Sequence, residues 1–363
     1  MKILRVINSL AMGGAERSIA SNVPRHIENG IEMDVLLLNG MDAIFKNELL
    51  ENGVKVMELG KFNDVYNPFL SLKLMKYLRK YDLVHVHLFP SLYWVAIAKL
   101  LSFSKTKLVF TEHSTTHRRA SWVLLQKIDR IIYRQYEMII TISEAADTNL
   151  KKRIGTSYPT QLIYNGVDIE NLKEEAAALN EELEERFKDK EVLLHVAGFR
   201  IEKDQDTLIR ALTHLPENFV AIFIGDGDRM GICKQLAMDL GVNHRVFFMG
   251  NQSNVGKWIA LSKIVVMSSH WEGFGRAAVE GMALSKPVIA SNVSGLAQVV
   301  GDAGLLFEKG NEVELSEHIL SISNDHEKYQ ALAQKGCLKA KDYDLKKMIQ
   351  AYEKVYNQVI AKS

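Results

Sequence analysis

Two cysteines in 363 residues, Cys233 and Cys337, are too few and too far apart for a disulfide framework or a metal knuckle. Buried thiols in a reducing compartment are the expectation. Long apolar runs are also missing. The longest, Ser91 to Phe103, is broken by Lys99 and falls short of the ~20 residues that span a bilayer, so it reads as a buried helix behind the preceding strand. The chain enters the strand-like Ile3-Leu-Arg-Val-Ile7 with no secretory leader before it, from which a cytoplasmic location is expected. Internal repeats, low-complexity tracts, helix-turn-helix patterns and zinc-finger spacings are absent. Basic residues are not interleaved with aromatics as in an RNA-binding sheet, which argues against nucleic acid as a partner.

Charge is balanced overall at +1 but not along the chain. Residues 1–165 hold 22 Lys and Arg against 15 Asp and Glu, whereas the remainder holds 23 against 29. A basic first half points to an anionic partner such as a membrane surface or a phosphate-bearing acceptor; scattered surface charge accounts for the same numbers. A chain of this length with 47% hydrophobic residues supports two cores.

Apolar runs suitable for buried strands occur at 3–7, 33–38, 83–87, 107–111, 138–142 and 161–164. Helical patterns separate most of them, which is the signature of a parallel sheet covered on both faces. The pattern restarts at 192–197 and continues at 220–224, 245–248, 264–267, 288–290 and 304–307. An α/β chain with a first domain over 1–168, a charged helical linker over 169–190, a second domain over 191–342 and a terminal helical segment over 343–363 is expected. In that last segment Met348, Ala351, Tyr352, Val355 and Val359 form one apolar stripe.

Parallel sheets bind ligands at the carboxyl ends of their strands. Gly13, Gly14, His87 and His113 fall at or just after such ends. Gly13-Gly14 lets phosphates approach the backbone ahead of a helix expected near Ala15, although a Gly-Gly after a strand is also an ordinary turn. His85 and His87 share a strand face, but no third ligand at a metal spacing accompanies them, and they read as structural or acceptor-side residues. His113 is compatible with a substrate contact or with a satisfied structural histidine.

The stretch Glu272-Gly-Phe-Gly-Arg-Ala-Ala-Val-Glu280 places two carboxylates around a turn that opens a helix. With Glu280 two helical turns inside, the pair is roughly 12 Å apart along the axis at about 1.5 Å per residue. A retaining glycosidase needs about 5 Å, so each carboxylate is expected to grip a different part of a long ligand. The N–H groups of Gly273, Phe274 and Gly275 between them favour an anion such as a diphosphate. Taken alone, such a pair also fits an ordinary strand-to-helix turn with one solvated Glu. The dinucleotide fingerprint is absent, since Gly225-Asp-Gly-Asp-Arg-Met-Gly231 has its last glycine one position late. Asp226-Gly-Asp228 follows a strand and reads as a loop element, not as a metal site.

Several of these stretches, in order and spacing, resemble the glycogen-synthase-like retaining glycosyltransferases of family 4. They are Met12-Gly-Gly-Ala-Glu-Arg17, Thr111-Glu-His113, Tyr164-Asn-Gly-Val-Asp168, Ile224-Gly-Asp-Gly227, Val246-Phe-Phe-Met-Gly250 and Ser268 to Phe307. The resemblance covers nearly the whole chain. It implies the GT-B fold, two facing Rossmann-like domains with parallel sheets, and a C-terminal helix that crosses back onto the first domain.

The resemblance also implies transfer of a hexose, with retention, from a nucleotide-diphosphate sugar to a sugar or lipid-linked acceptor, in surface polysaccharide or glycolipid synthesis. UDP-sugar is the expected donor and GDP-sugar the alternative; no cofactor or metal is implied. Glu272 then contacts the donor hexose, Glu280 the ribose, and Gly13, Gly14 and Lys203 the diphosphate. Met249 and Gly250 border the base, and His113 lies beside the sugar. The family arginine stands about five residues before the lysine, where this chain has Gly198; Arg200, three before Lys203, is either its shifted replacement or a surface ion-pair residue. The basic run His117-Arg118-Arg119 is expected to bind the phosphate of a lipid-linked acceptor, and the basic first half to give peripheral membrane contact. A 2-epimerase of the same fold and a non-catalytic nucleotide-sugar-binding protein are the rival readings.

Overall fold

The computed structural model describes residues 1–11, 13–40, 43–60, 64–113 and 123–361. The chain divides into two compact units, Met1–Gly166 with Leu345–Ser363, and Val167–Asp344.

The first unit is built on seven strands: β1 (Lys2–Ile7), β2 (Glu32–Asn39), β3 (Val56–Gly60), β4 (Leu83–His87), β5 (Lys107–Glu112), β6 (Met138–Thr141) and β7 (Thr160–Leu162). They pair in the order β3-β2-β1-β4-β5-β6-β7, each neighbour parallel. Alternate residues face opposite sides, so Ile3, Ile7, Val35 and Leu37 enter one core while Leu4, Val6, Leu36 and Leu38 enter the other. Burial on both faces explains the near-continuous apolar runs. Edge strand β3 was not anticipated, because none of its residues is fully buried and it lacks such a run. The helix Leu345–Ala361 lays Met348, Tyr352, Val355, Tyr356 and Val359 on the Ile3 face.

The second unit repeats the plan with β8 (Glu191–Val196), β9 (Phe219–Ile224), β10 (Val246–Phe248), β11 (Ile264–Met267), β12 (Val288–Ser291) and β13 (Leu305–Phe307), ordered β10-β9-β8-β11-β12-β13. In each sheet the order reverses about its first strand. The switch points therefore lie between β1 and β4 and between β8 and β11, where a crevice opens at the carboxyl ends.

Residues 169–190 are not a free linker. They form helices Ile169–Ala177 and Glu181–Arg186, capped by the side chains of Asp168 and Asn180, within the second unit. Gly256 N–H donates to Glu175 Oε2 at 2.9 Å, tying the first of these helices to the helix Gly256–Leu261. The run of charge marks their exposed faces. The return crossing falls after Asp344, because Val167 N–H donates to the Tyr343 carbonyl at 2.9 Å and holds residues 343–344 in the second unit.

The helix Ser91–Ser102 buries Leu92, Val95, Ala96 and Ala98, but its end is exposed at Leu100 and Leu101, as is Phe103 beyond it. Among the described residues no helix is long and apolar enough to cross a membrane. Cys233 is buried, whereas Cys337 is only half-buried, contrary to the expectation of two buried thiols.

Candidate active site

At the switch point of the second unit, the loop after β8 meets the loop after β11. Lys203 Nζ donates to Glu272 Oε2 at 2.5 Å, both side chains partly buried. Three ties hold the loops together. Ser268 Oγ donates to the Asp204 carbonyl at 2.6 Å and sits 3.2 Å from His195 Nε2, and His270 N–H donates to the Glu202 carbonyl at 2.9 Å. Asp204 itself is in the left-handed region, with φ 45°, and accepts from Thr207 Oγ1 at 2.6 Å. A buried non-glycine residue held in that region indicates that its surroundings dictate the conformation. Burial pushes the His195 imidazole down to about 4, with the Lys203 charge adding to the effect, so His195 is neutral behind the pair.

Gly273 N–H donates to Glu272 Oε1 at 3.2 Å, so the carboxylate is held by its own turn as well as by the lysine. Gly275 closes the turn with φ 83°, and a Cβ there would lie 2.3 Å from Leu296 Cδ2; both conformation and space require glycine. The helix runs from Arg276 to Ala283. Glu280 therefore lies one turn inside it, not two, and the 12 Å spacing expected from a longer helix does not apply. Glu280 is buried and accepts from Arg276 Nε at 2.8 Å. Arg276 was not anticipated, although its i,i+4 spacing to Glu280 on a helix could have revealed it.

Arg200 is exposed and makes no side-chain hydrogen bond or ion pair among the described residues. Met249 and Gly250 lie at the carboxyl ends of β9 and β10: Met249 N–H donates to the Phe223 carbonyl at 2.9 Å, and Gly225 N–H to the Gly250 carbonyl at 2.8 Å. Asp226 Oδ1 accepts the N–H of Gly227 at 2.7 Å, a local turn contact.

In the first unit, Gly13 caps the helix Gly14–Glu28 in extended conformation. A Cβ on Gly14 would meet nothing within 4 Å, and one on Gly13 would meet only the flexible end of Glu16. The fold itself does not require glycine at either position. His113 follows β5, half-buried, with its Nε2 3.1 Å from His87 Nδ1. Its imidazole is pushed down to about 4 by burial, despite the opposing charge of Glu112, with Arg5 adding to the lowering.

Behind His113 lies a polar cluster that was not anticipated as such. Arg5, on β1, is fully buried and forms no ion pair among the described residues. Its guanidinium donates to His85 Nδ1 at 2.7 Å, His87 Nε2 at 2.9 Å and Asn22 Oδ1 at 3.2 Å. It also lies 5.2 and 5.7 Å from the ring centroids of Tyr352 and Tyr356, a cation–π contact on two faces. A charged residue in the middle of the apolar Ile3-Leu-Arg-Val-Ile7 strand was the available signal. His85 and His87 are held structurally here, by Arg5 and by one another at 4.3 Å between ring centroids. His117, Arg118 and Arg119 lie outside the described residues.

Two sequence profiles divide the chain: Glycosyltransferase Family 4 matches residues 12–171, and Glycosyl transferases group 1 matches residues 179–338. An uncharacterized glycosyltransferase of Methanocaldococcus jannaschii is 30% identical over 92% of this chain and 93% of its own length. The chain belongs to glycosyltransferase family 4. This glycosyltransferase is also similar to the N-acetyl-alpha-D-glucosaminyl L-malate synthase of Bacillus anthracis, at 25% identity over 77% of the chain and 75% of that protein. Among solved structures, Anabaena HepE in complex with UDP and glucose matches with a TM-score of 0.87 at 25% identity, covering 98% of this chain and 99% of that one. The fold of the glycosyltransferase is accordingly GT-B, with two parallel-sheet domains.

Proposed function

We propose that this glycosyltransferase moves a hexose from UDP-sugar to a sugar or lipid-linked acceptor with retention of anomeric configuration, in surface polysaccharide or glycolipid synthesis. The observation that carries the reading is the Lys203–Glu272 pair at the switch point, beside a Gly-Phe-Gly turn that leads directly to buried Glu280. Cation, backbone turn and two carboxylates, one at the turn and one on the helix that follows, suit a diphosphate flanked by two sugars. Lys203 neutralises the charge that grows on the leaving diphosphate. Glu272 orients the hexose, and Glu280, fixed by Arg276, binds the ribose hydroxyls. Met249 and Gly250 border the base. Arg200, whose side chain has no partner among the described residues, supplies a second cation to the diphosphate.

In the first unit, Gly13 and Gly14 leave room for a phosphate-bearing ligand, and His113 meets a sugar hydroxyl. His117, Arg118 and Arg119 bind the phosphate of the acceptor, and the basic first unit touches the membrane surface. HepE, crystallised with UDP and glucose, supports a UDP-sugar donor. A Campylobacter jejuni relative at 26% identity is named for transfer to a diphospho-undecaprenol-linked sugar, which supports a lipid-linked acceptor. The chemistry needs no metal in this reading, and activity survives EDTA.

Proton NMR of the protein with a panel of UDP-, GDP- and ADP-sugars tests the donor. Slow release of nucleotide diphosphate with an unaltered sugar from one UDP-sugar is expected. A freed 2-epimer would replace the reading with epimerisation, and tight donor binding without turnover under any acceptor would replace it with a binding protein.

A further inference from the structure

We propose that Arg5 is a positioning residue that fixes, through His87, the tautomer of His113, so that His113 meets its substrate as a neutral hydrogen-bond donor through Nδ1–H. The inference rests on the reading of His113 as substrate-facing. It follows from one asymmetry in hydrogen-bond chemistry: a guanidinium carries donors and no acceptor. Arg5 Nη1 has two hydrogens and two imidazole neighbours, His85 Nδ1 at 2.7 Å and His87 Nε2 at 2.9 Å. Neither nitrogen can donate to a guanidinium, so both accept and carry no proton, and His85 Nδ1 also accepts from Tyr356 Oη–H, 2.8 Å away.

The remaining proton positions then follow in order. His85 is protonated at Nε2, which lies 2.7 Å from Thr111 Oγ1 and donates to it. His87 is protonated at Nδ1, which lies 3.1 Å from His113 Nε2 and donates in turn. His113 Nε2 is therefore an acceptor, and the single proton of a neutral His113 resides on Nδ1, an atom without a partner among the described residues. A second proton on His113 would set its Nε2–H against His87 Nδ1–H, and His87 cannot yield by turning to its other tautomer while Arg5 donates to Nε2. The network thus excludes an imidazolium at His113 by hydrogen-bond geometry, in accord with the neutral state that burial and the Arg5 charge also favour.

Two consequences distinguish this from a generic histidine contact. His113 cannot serve as a general base, because the nitrogen facing away from His87 holds the proton. The substrate atom it meets must be an acceptor, such as a hydroxyl oxygen. Arg5 itself touches no substrate in this proposal; it is fully buried, and its role is transmitted across two imidazoles.

Long-range proton–nitrogen NMR correlations on the full chain with nitrogen-15 histidine, assigned with His87→Gln and His113→Gln, read the tautomers directly. The wild-type protein near neutral pH is expected to show His87 and His113 protonated at Nδ1 and His85 at Nε2. His113 protonated at Nε2, or doubly, would overturn the proposal without any variant having to fold. In His87→Phe, which removes the donor to His113, the Nδ1–H population of His113 should fall and kcat should drop about 10–100-fold, the range typical of losing an orienting partner. An unchanged His113 tautomer in that variant would also overturn it. His113→Ala separates the underlying reading: full activity in that variant would remove His113 from the substrate, whatever the tautomer spectra show.

Discussion

The two units share one strand order and one kind of switch point, yet the polar chemistry at each is different. In the second unit opposite charges meet: Lys203 with Glu272, both partly buried, and Arg276 with buried Glu280. In the first unit a buried arginine meets neutral imidazoles and tyrosine rings, with no carboxylate in its hydrogen bonds. The contrast is one of reach. A partly buried ion pair at a crevice can exchange one partner for a charged ligand, because the ligand replaces the counter-charge that the partner supplied. A buried cation held by neutral acceptors cannot leave its place, but it can order the protons of the groups around it. One sheet thus presents groups suited to gripping a charged substrate and the other a group of set polarity.

The largest expected effect separates these roles. Lys203→Ala lowers kcat roughly 10²–10³-fold, as for loss of one preorganised charge-stabilising donor, while the thermal midpoint stays near that of the wild type. Steady-state kinetics alongside calorimetry check it; an equal loss of stability would mean that the pair holds the loops and not the substrate. If Glu280 binds the ribose hydroxyls as proposed, Glu280→Gln raises the donor KM more than it lowers kcat, because a contact far from the reacting bond serves ground and transition states alike.

Arg5→Ala sharpens the comparison from the other side. It orphans acceptors on His87 and Asn22, at about 1–3 kcal/mol for each buried group left unsatisfied, partly offset by removal of a buried charge, while His85 Nδ1 keeps Tyr356 Oη at 2.8 Å. A net loss of about 2–4 kcal/mol is expected, and hydrogen exchange should locate it in the first unit with the second unit protected as before. Equal exchange in both units would break the distinction.

Acid provides a subtler test. His26 and His113 are pushed down to about 2 and about 4, and His85 and His87 well below the ordinary value, all chiefly by burial, whereas in the second unit only His195 is held low, at about 4. Between the folded values and about 6.5 the unfolded chain binds more protons than the folded one, so stability is full above that pH and is lost as pH falls toward 4. Hydrogen exchange against pH should show the first unit loosening before the second. The smallest effect is local: Gly275→Ala, forced into φ 83° against Leu296, should cost about 1–2 kcal/mol and raise the donor KM by displacing Glu272.

Much of this was legible in the residues. Strand runs at 83–87 and 264–267 coincide with β4 and β11, because a strand buried on both faces writes itself as a continuous apolar segment. Strand β3 was not, since a half-exposed edge lacks a continuous apolar run, and although the helical character of 169–190 could be read from its charge pattern, its packing within the second unit could not, because its partners lie far along the chain. The Lys203–Glu272 pair spans 69 residues, and nothing local announces that the two meet. Arg5 was visible as an oddity in an apolar strand. Its acceptors were not.

The chain by itself determined two α/β units, the Gly-Phe-Gly turn, and which residues stand at strand ends, because strand alternation, helix opening and glycine conformation depend on neighbours a few positions away. The tertiary structure alone decided that Glu280 lies one turn inside its helix, that residues 169–190 belong to the second unit, and that Arg5 orders three histidines. Hydrogen-bond partners 80 residues apart meet only when strand order and helix packing bring β1 beside β4, and a buried polar group takes its protonation from those partners rather than from its own position in the chain.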